Sequence, residues 1–263
     1  MKFCFGKKDT ERNLKIFLLA CVGLGAFLHV YRYMLNRSLW VDEAMLVSSI
    51  IDRDLSNLVA SPLDFAQSSP VLWLYIVKMI TMILGPSELA LRLSSLIAAF
   101  VSMLLVYLLL KNKTRQNQAL FVTAIFSLTH MYIFYGNEFK PYMFDNMLCL
   151  LTLYVWQLYK DQKIALWKMV LIYAVIIWGS FLSVFLVAAC MIIESITLFR
   201  KMIIEKNCRV VKKLCLCAIV LFSFVLNYVV WLSKSAGQAG STHWDLIRFP
   251  LIPTSLSDIS LII

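Results

Sequence analysis

Two short stretches carry residue types that could do acid–base chemistry, SLWVDEAMLV (38–47) and GNEFKPYMFDN (136–146). The first sets Asp42 and Glu43 side by side just past an apolar run. The second gathers Glu138, Lys140, Tyr142 and Asp145, and Arg92 stands a few residues inside another apolar run. A carboxylate beside a cation in a cleft can deprotonate a hydroxyl while an anionic leaving group is held in place. Burial raises such a carboxylate's pKa and a neighbouring cation lowers it, so the pairing is also a means of tuning. Plainer readings exist for each residue. Acids beside a membrane span are often simply solvated, Arg92 could snorkel to lipid phosphate, and Glu138 with Lys140 could be a surface pair. Spacing alone defines an acidic and basic cluster and leaves the reaction open.

The elements that must position this cluster are membrane helices. Of the 263 residues 61% are hydrophobic and 15% charged, and the mean hydropathy is +0.79. A soluble domain carries about 25% charged residues. The chain has no internal repeat and no low-complexity stretch. Apolar runs suited to spans cover 14–34, 89–110, 119–135, 143–159, 164–179, 180–199 and 214–232, several of them short against the roughly 20 residues a bilayer requires. The composition therefore predicts an all-α polytopic membrane bundle of about seven transmembrane helices, read as one domain over 1–263.

Charge placement decides the status of an eighth run, PVLWLYIVKMITMILG (70–85). If it crosses, KNKTRQNQ (111–118), KDQK (160–163) and RKMIIEKNCRVVKK (200–213) fall opposite the basic N-terminus. If it lies in the interface, all share the side of Lys2, Lys7, Lys8, Arg12 and Lys15, and that side, with Lys168, holds 17 of the 25 Lys and Arg. The positive-inside rule selects the second arrangement, as does Lys78 near the middle of the run, which would cost about 2.5–3.5 kcal/mol at a bilayer centre. The N-terminus is then cytoplasmic, and residues 35–88 form a large first extracytoplasmic loop. Within it EAMLVSSIIDRDLSNLV predicts an amphipathic surface helix, with Val47, Ile51, Leu55 and Leu58 as a stripe that Leu46 and Ile50 widen. SPLDFAQSSP breaks it before the interfacial run.

Other classes recede. The net charge of +10 sits in loop clusters, which argues for positive-inside topology and against a nucleic-acid partner. The seven cysteines lie in apolar runs or beside basic clusters, and Cys215-x-Cys217 would point its thiols to different faces. Neither a metal site nor a disulfide framework is implied. The three histidines, His29, His130 and His243, have no ligand spacing. The N-terminal run continues well past the Cys21 of LLAC, so it reads as an uncleaved first span and not a leader.

In order along the chain, LWVDEA, SSPVLWLYIVKMITMILGPSELALRLSS and YGNEFKPYMFD resemble the motifs of the lipid-phosphate-sugar-dependent membrane glycosyltransferases related to protein O-mannosyltransferases and aminoarabinose transferases (glycosyltransferase family 39-like). The resemblance runs on weakly into HWDLIRFPLIPTSLSDI. It implies a GT-C type fold with the reaction on the extracytoplasmic face of a plasma-membrane protein. It also implies a polyprenyl-phosphate sugar donor, inverting transfer to a hydroxyl of a protein, lipid or glycan acceptor, and no cofactor. The general base of the family maps onto Asp42, with Glu43 as its catalytic support. Arg92 and Lys140 match the positions that contact donor phosphate, and Glu138, Tyr142 and Asp145 fall in the substrate-binding motif.

Two departures leave sugar and acceptor open. Ser68-Ser69-Pro70 stands where aminoarabinose transferases carry acidic-Lys-Pro, and Lys140 stands where many relatives have Arg, which loses a bidentate grip. Relatives continue with further spans, so the resemblance predicts that these residues are an N-terminal portion. The competing readings are a lipid or solute transporter subunit, which should carry acids near mid-membrane, and a non-catalytic membrane fragment. Glu194 is the main acid within a span.

Overall fold

A computed structural model describes residues 7–205 and 209–234, which form ten α-helices and no strand among the described residues. The C-terminal HWDLIRFPLIPTSLSDI stretch and His243 lie outside the described residues. Helix α1 is Lys7–Met34, α2 Val41–Asp52, α3 Val71–Leu84, α4 Glu88–Lys111, α5 Gln116–Leu128 and α6 His130–Tyr135. After them come α7 Tyr142–Lys160, α8 Leu166–Gly179, α9 Ser183–Glu205 and α10 Arg209–Asn227, which ends in a π-helical turn at Tyr228–Leu232. All seven apolar runs are helical. Four segments, Asp9–Met34, Glu88–Lys111, Ser183–Ile204 and Lys213–Leu232, are long and apolar enough to cross a bilayer. The protein is an all-α, integral membrane bundle.

The run at 119–135 is not one helix. It breaks at Thr129, whose backbone is extended (φ −64°, ψ 125°). Ser127 Oγ donates to the Ala124 carbonyl and Thr129 Oγ1 to that of Ile125. Hydroxyls that bond back to their own turn compete with the helical ladder and bend it. The predicted surface helix is also shorter than its periodicity suggested. Helix α2 stops at Asp52, and Arg53 turns extended and donates to the Ser61 and Pro62 carbonyls and to Asp64. The face that α2 buries is Glu43, Leu46, Val47 and Ile50, an i, i+3, i+4, i+7 stripe. Ile51 and Leu55, on the stripe the sequence suggested, are exposed.

Contacts at the helix ends sort the bundle into two poles. Tyr33, at the end of α1, donates its hydroxyl to the Leu89 carbonyl at the start of α4. Trp231, at the end of α10, donates its indole N–H to the Ser69 carbonyl just before α3. At the opposite pole Asn117, at the start of α5, donates to the Glu11 carbonyl in the first turns of α1. Helix α3 therefore begins beside the end of α10 and stops one tight turn before α4, at the same pole. That turn is made at Gly85, whose φ of 83° lies in the region that only glycine enters cheaply. Lys78, midway along α3, donates Nζ to the carbonyls of Ile50 and Ile51. It satisfies two of the orphaned acceptors at the C-terminus of α2, where a cation is also favoured by the helix dipole.

Candidate active site

The Asp-Glu pair opens α2, with Asp42 and Glu43 its second and third residues. Successive helical residues point about 100° apart, and the two side chains take separate roads. Glu43 turns into the bundle and is 2% exposed, as is Arg92 opposite it. Its Oε2 accepts from the Trp40 N–H at 2.9 Å and from Arg92 Nη2 at 3.1 Å. Its Oε1 accepts from the Phe139 N–H at 2.6 Å and lies 3.6 Å from Arg37 Nη2. Three hydrogen-bond donors and a further cation, from three segments (the 35–40 connector, α4 and the 136–141 loop), thus meet on one carboxylate. The Trp40 contact is a reach back to the residue before the helix, which satisfies one of the free N–H groups of its first turn.

Arg92 continues the lock. Its Nη1 donates to the Arg37 carbonyl and its Nη2 to that of Ser38. The resemblance implied that Arg92 contacts donor phosphate; in the structure its guanidinium donates to Glu43 and the 37–38 backbone, and it is not among the residues that line the cavity. Ser95, one turn further along α4, donates to the Glu138 carbonyl at 2.6 Å. Helix α4 therefore carries both loops of the site, one through Arg92 and the other through Ser95.

The cavity these loops enclose has a volume of about 270 Å³ and is lined by Trp40, Asp42, Glu43, Phe134, Tyr135, Glu138, Lys140 and Tyr142. Five of the seven sequence candidates meet there, while Arg92 and Asp145 do not. Asp145 is 5% exposed and faces Ser180 and the Phe181 backbone at the joint of α8 and α9. Glu138 pairs with Arg37 at 3.0 Å, not with its near neighbour Lys140. Burial pushes the Glu138 carboxyl above its ordinary pKa and outweighs the opposing pull of Arg37. Lys140 donates Nζ to Gln67 Oε1 at 2.9 Å. Burial lowers its pKa, against Asp42, Glu43 and Glu138, which favour its charge. Among the described residues Asp42 makes no ion pair or side-chain hydrogen bond, and it is exposed to the cavity.

Sequence reasoning missed Arg37. It joins Glu43 to Glu138 and lies 5.7 Å from the ring centroids of both Trp40 and Phe134. Its signal was its position, a cation five residues before Asp42 in the same connector. A second, larger hollow of about 580 Å³ lies between α8, α9 and α10, but its walls are almost wholly apolar, with Ser195 and Cys217 their polar exceptions.

The bundle thus gathers a free carboxylate, a lysine and aromatic side chains around one cavity at one pole. The family model described as dolichyl-phosphate-mannose-protein mannosyltransferase matches residues 68–231, and the chain belongs to that family. It is accordingly a membrane glycosyltransferase by family, with a lipid-linked sugar as the family's donor class. The matched stretch contains Arg92, Glu138, Lys140, Tyr142 and Asp145 and begins after Asp42 and Glu43. No curated protein and no solved structure shows significant similarity to the chain.

Proposed function

We propose that the protein transfers a sugar, with inversion, from a polyprenyl-phosphate donor to an acceptor hydroxyl, with Asp42 as the general base. The observation that carries this reading is the inequality of the cavity's three carboxylates. Glu43 is fully engaged by donors and Glu138 is held by Arg37. Asp42 alone, among the described residues, faces the cavity without a partner. A base must be able to accept a proton without first giving up a hydrogen bond, and its short stem at a helix start holds it rigidly against an acceptor.

In the reaction Asp42 takes the hydroxyl proton as the acceptor oxygen attacks C1 of the sugar. The C1–O bond to phosphate breaks on the opposite face, and the lipid phosphate leaves with the electron pair. That leaving group needs charge neutralisation rather than a proton. Lys140, Glu138 and Tyr142 contact the substrates, while Glu43 supports Asp42 by fixing the start of α2. Arg92 acts through Glu43 as a positioning residue. Asp145 serves the same pole from beneath, at the α8–α9 joint.

The cavity faces the extracytoplasmic side of the plasma membrane, with residues 35–88 as its first loop and the N-terminus in the cytoplasm. Two observations support this orientation. The loop acids gather at the pole of the cavity, and the 111–118 cluster gathers with the start of α1 at the other. Glu194, the acid a transporter would use, is occupied by Tyr159 and by Lys160 at 2.8 Å.

Membranes containing the protein, incubated with a panel of polyprenyl-phosphate sugars and analysed by mass spectrometry, should yield a glycosylated product. Asp42→Asn should lower turnover by about 10²-fold or more with donor binding nearly intact. Wild-type turnover in that variant would move the base to Glu138.

A further inference from the structure

A lysine stands beside the free carboxylate and does not take it. Lys140 and Asp42 line the same cavity, and of the charges that act on Lys140 that of Asp42 leads, ahead of Glu43 and Glu138. An ammonium on a flexible four-carbon stem can turn to any acceptor within reach, and opposite charges in a partly buried wall attract strongly. The ion pairs of the site nevertheless go to Arg37 and Arg92, and among the described residues Lys140 forms none. Its Nζ donates instead to an uncharged group, Gln67 Oε1, at 2.9 Å.

Occupancy decides which acid the lysine would otherwise choose. Glu43 already accepts from Trp40, Arg92 and Phe139, and Glu138 is held by Arg37. The remaining titratable groups of the wall are the phenols Tyr135 and Tyr142, packed edge to face at 5.4 Å. Of the three carboxylates, only Asp42 has its lone pairs open to a new donor. Without Gln67, the pull on Lys140 is toward Asp42.

Gln67 is itself firmly placed. Its backbone N–H donates to the Asp64 carbonyl, and Asp64 is tied to Ser49 of α2 and to Arg53. Two residues after Gln67, the Ser69 carbonyl accepts from Trp231 at the end of α10. Between Asp64 and Gln67 the chain passes through Phe65 at φ 54°, a left-handed conformation that a bulky residue keeps only under constraint from its surroundings. The segment is thus fastened on both sides of one side chain. An ammonium has donors only, so the Gln67 amide meets it with its oxygen. That bond directs the lysine without cancelling its charge.

We propose that Gln67 is a positioning residue that holds Lys140 away from Asp42 and so keeps that carboxylate free. What the free carboxylate then does rests on the glycosyl-transfer reading above, whereas the diversion of the lysine stands on geometry alone.

The test uses the full chain in phosphatidylcholine nanodiscs and reads Lys140 directly, by acetylation with trace acetic anhydride across pH and mass spectrometry of its peptide. Burial lets the wild-type lysine shed its proton at lower pH than an ordinary one. Gln67→Met keeps the length of the side chain and removes the acceptor, so Lys140 should pair with Asp42. The midpoint of acetylation should then rise by about 1 pH unit or more, because an opposite charge in contact favours the charged form. In an Asp42→Asn background, Gln67→Met should produce no such rise. Turnover of Gln67→Met should fall about tenfold or more, since the base must first give up an ion pair. Thermal unfolding of each variant guards against misfolding, and Gln67→Leu serves if Gln67→Met does not fold. An unmoved or lowered midpoint in a folded Gln67→Met overturns the assignment. So does a rise that persists with Asp42→Asn, because the lysine has then gone to another acid. Acetylation needs no turnover, which keeps the two readings apart. A midpoint that rises while turnover holds removes the base from Asp42 and leaves Gln67 its role, whereas an inactive Asp42→Asn beside an unmoved midpoint removes only the role of Gln67.

Discussion

Replacing Glu43 by Gln changes one atom and keeps the shape, so its cost isolates what the charge does. The carboxylate now takes the Phe139 N–H at 2.6 Å, the Trp40 N–H at 2.9 Å and Arg92 Nη2 at 3.1 Å. A glutamine has one carbonyl oxygen for these donors. If that oxygen keeps Phe139, the amide NH2 faces Trp40 and Arg92, donor against donor. If it turns the other way, Phe139 is orphaned. Arg92 is left as a buried cation, 2% exposed, without its main counter-charge. Removing one partner of a buried pair costs about 3–5 kcal/mol, and removing both with shape preserved costs much less.

Equilibrium unfolding in mixed micelles should show that loss for Glu43→Gln and a similar one for Arg92→Met. The double variant should fall well short of their sum, since the two act as a unit. Turnover should fall with stability, because the lock joins the loop before α2 to the 136–141 loop across the cavity. A Glu43→Gln penalty under about 1 kcal/mol, or strict additivity with Arg92→Met, would refute the reasoning and return Glu43 to the candidates for direct chemistry.

Three further outcomes are expected. Gly136→Ala puts a Cβ 2.7 Å from the imidazole of His29, which is fully buried, so thermal unfolding should show a loss of about 1–3 kcal/mol. The lowered pKa of Lys140 means that it sheds its proton at lower pH than an ordinary lysine, so kcat/KM should decline early on the alkaline side as pH rises through that value. Lys140→Arg should push that decline to higher pH, and an unmoved alkaline limb would exclude Lys140 from substrate binding. Cysteines introduced as Ser61→Cys and Lys113→Cys should label from opposite faces of the membrane against the unsubstituted background. Labelling of both from one face would discard the topology.

The architecture was legible in the sequence because lipid imposes it. Apolar runs of the right length had to become helices, since backbone groups in a bilayer find partners only within the chain. The break at Thr129 was not legible, because a hydroxyl that bonds back to its own turn leaves no mark on hydropathy. Lys78 was read as an obstacle to crossing, and it serves as the cap of α2. At the candidate site, residue types pointed to the two loops that line the cavity, but not to who pairs with whom. Glu138 and Lys140 are two apart, and nearness in sequence suggested a pair. The fold instead gives Glu138 to Arg37 and Lys140 to Gln67. Those partners are 101 and 73 residues away in the chain, and no local pattern reports such distances. One signal was present and misread. With the stripe of α2 set on Leu46, Val47 and Ile50, Glu43 falls on the buried face one turn ahead of them.

That register explains why two adjacent acids persist at the start of α2. A carboxylate poised as a base is useful only if the backbone beneath it does not drift. A helix start offers that backbone few fixed bonds, because its first N–H groups have no partners within the helix. Glu43 supplies the missing fixation. It reaches back to Trp40, across to Arg92 on α4 and forward to Phe139 in the opposing loop. Asp42 is one residue away and points elsewhere, so it inherits that rigidity without giving up a lone pair. Exchanging the two acids, by Asp42→Glu together with Glu43→Asp, would bury the shorter one, out of reach of donors spread over three segments. The same exchange would put the longer, looser one in the cavity. The exchanged variant, although identical in composition and charge, should therefore lose both stability in micelle unfolding and turnover in the sugar-transfer assay.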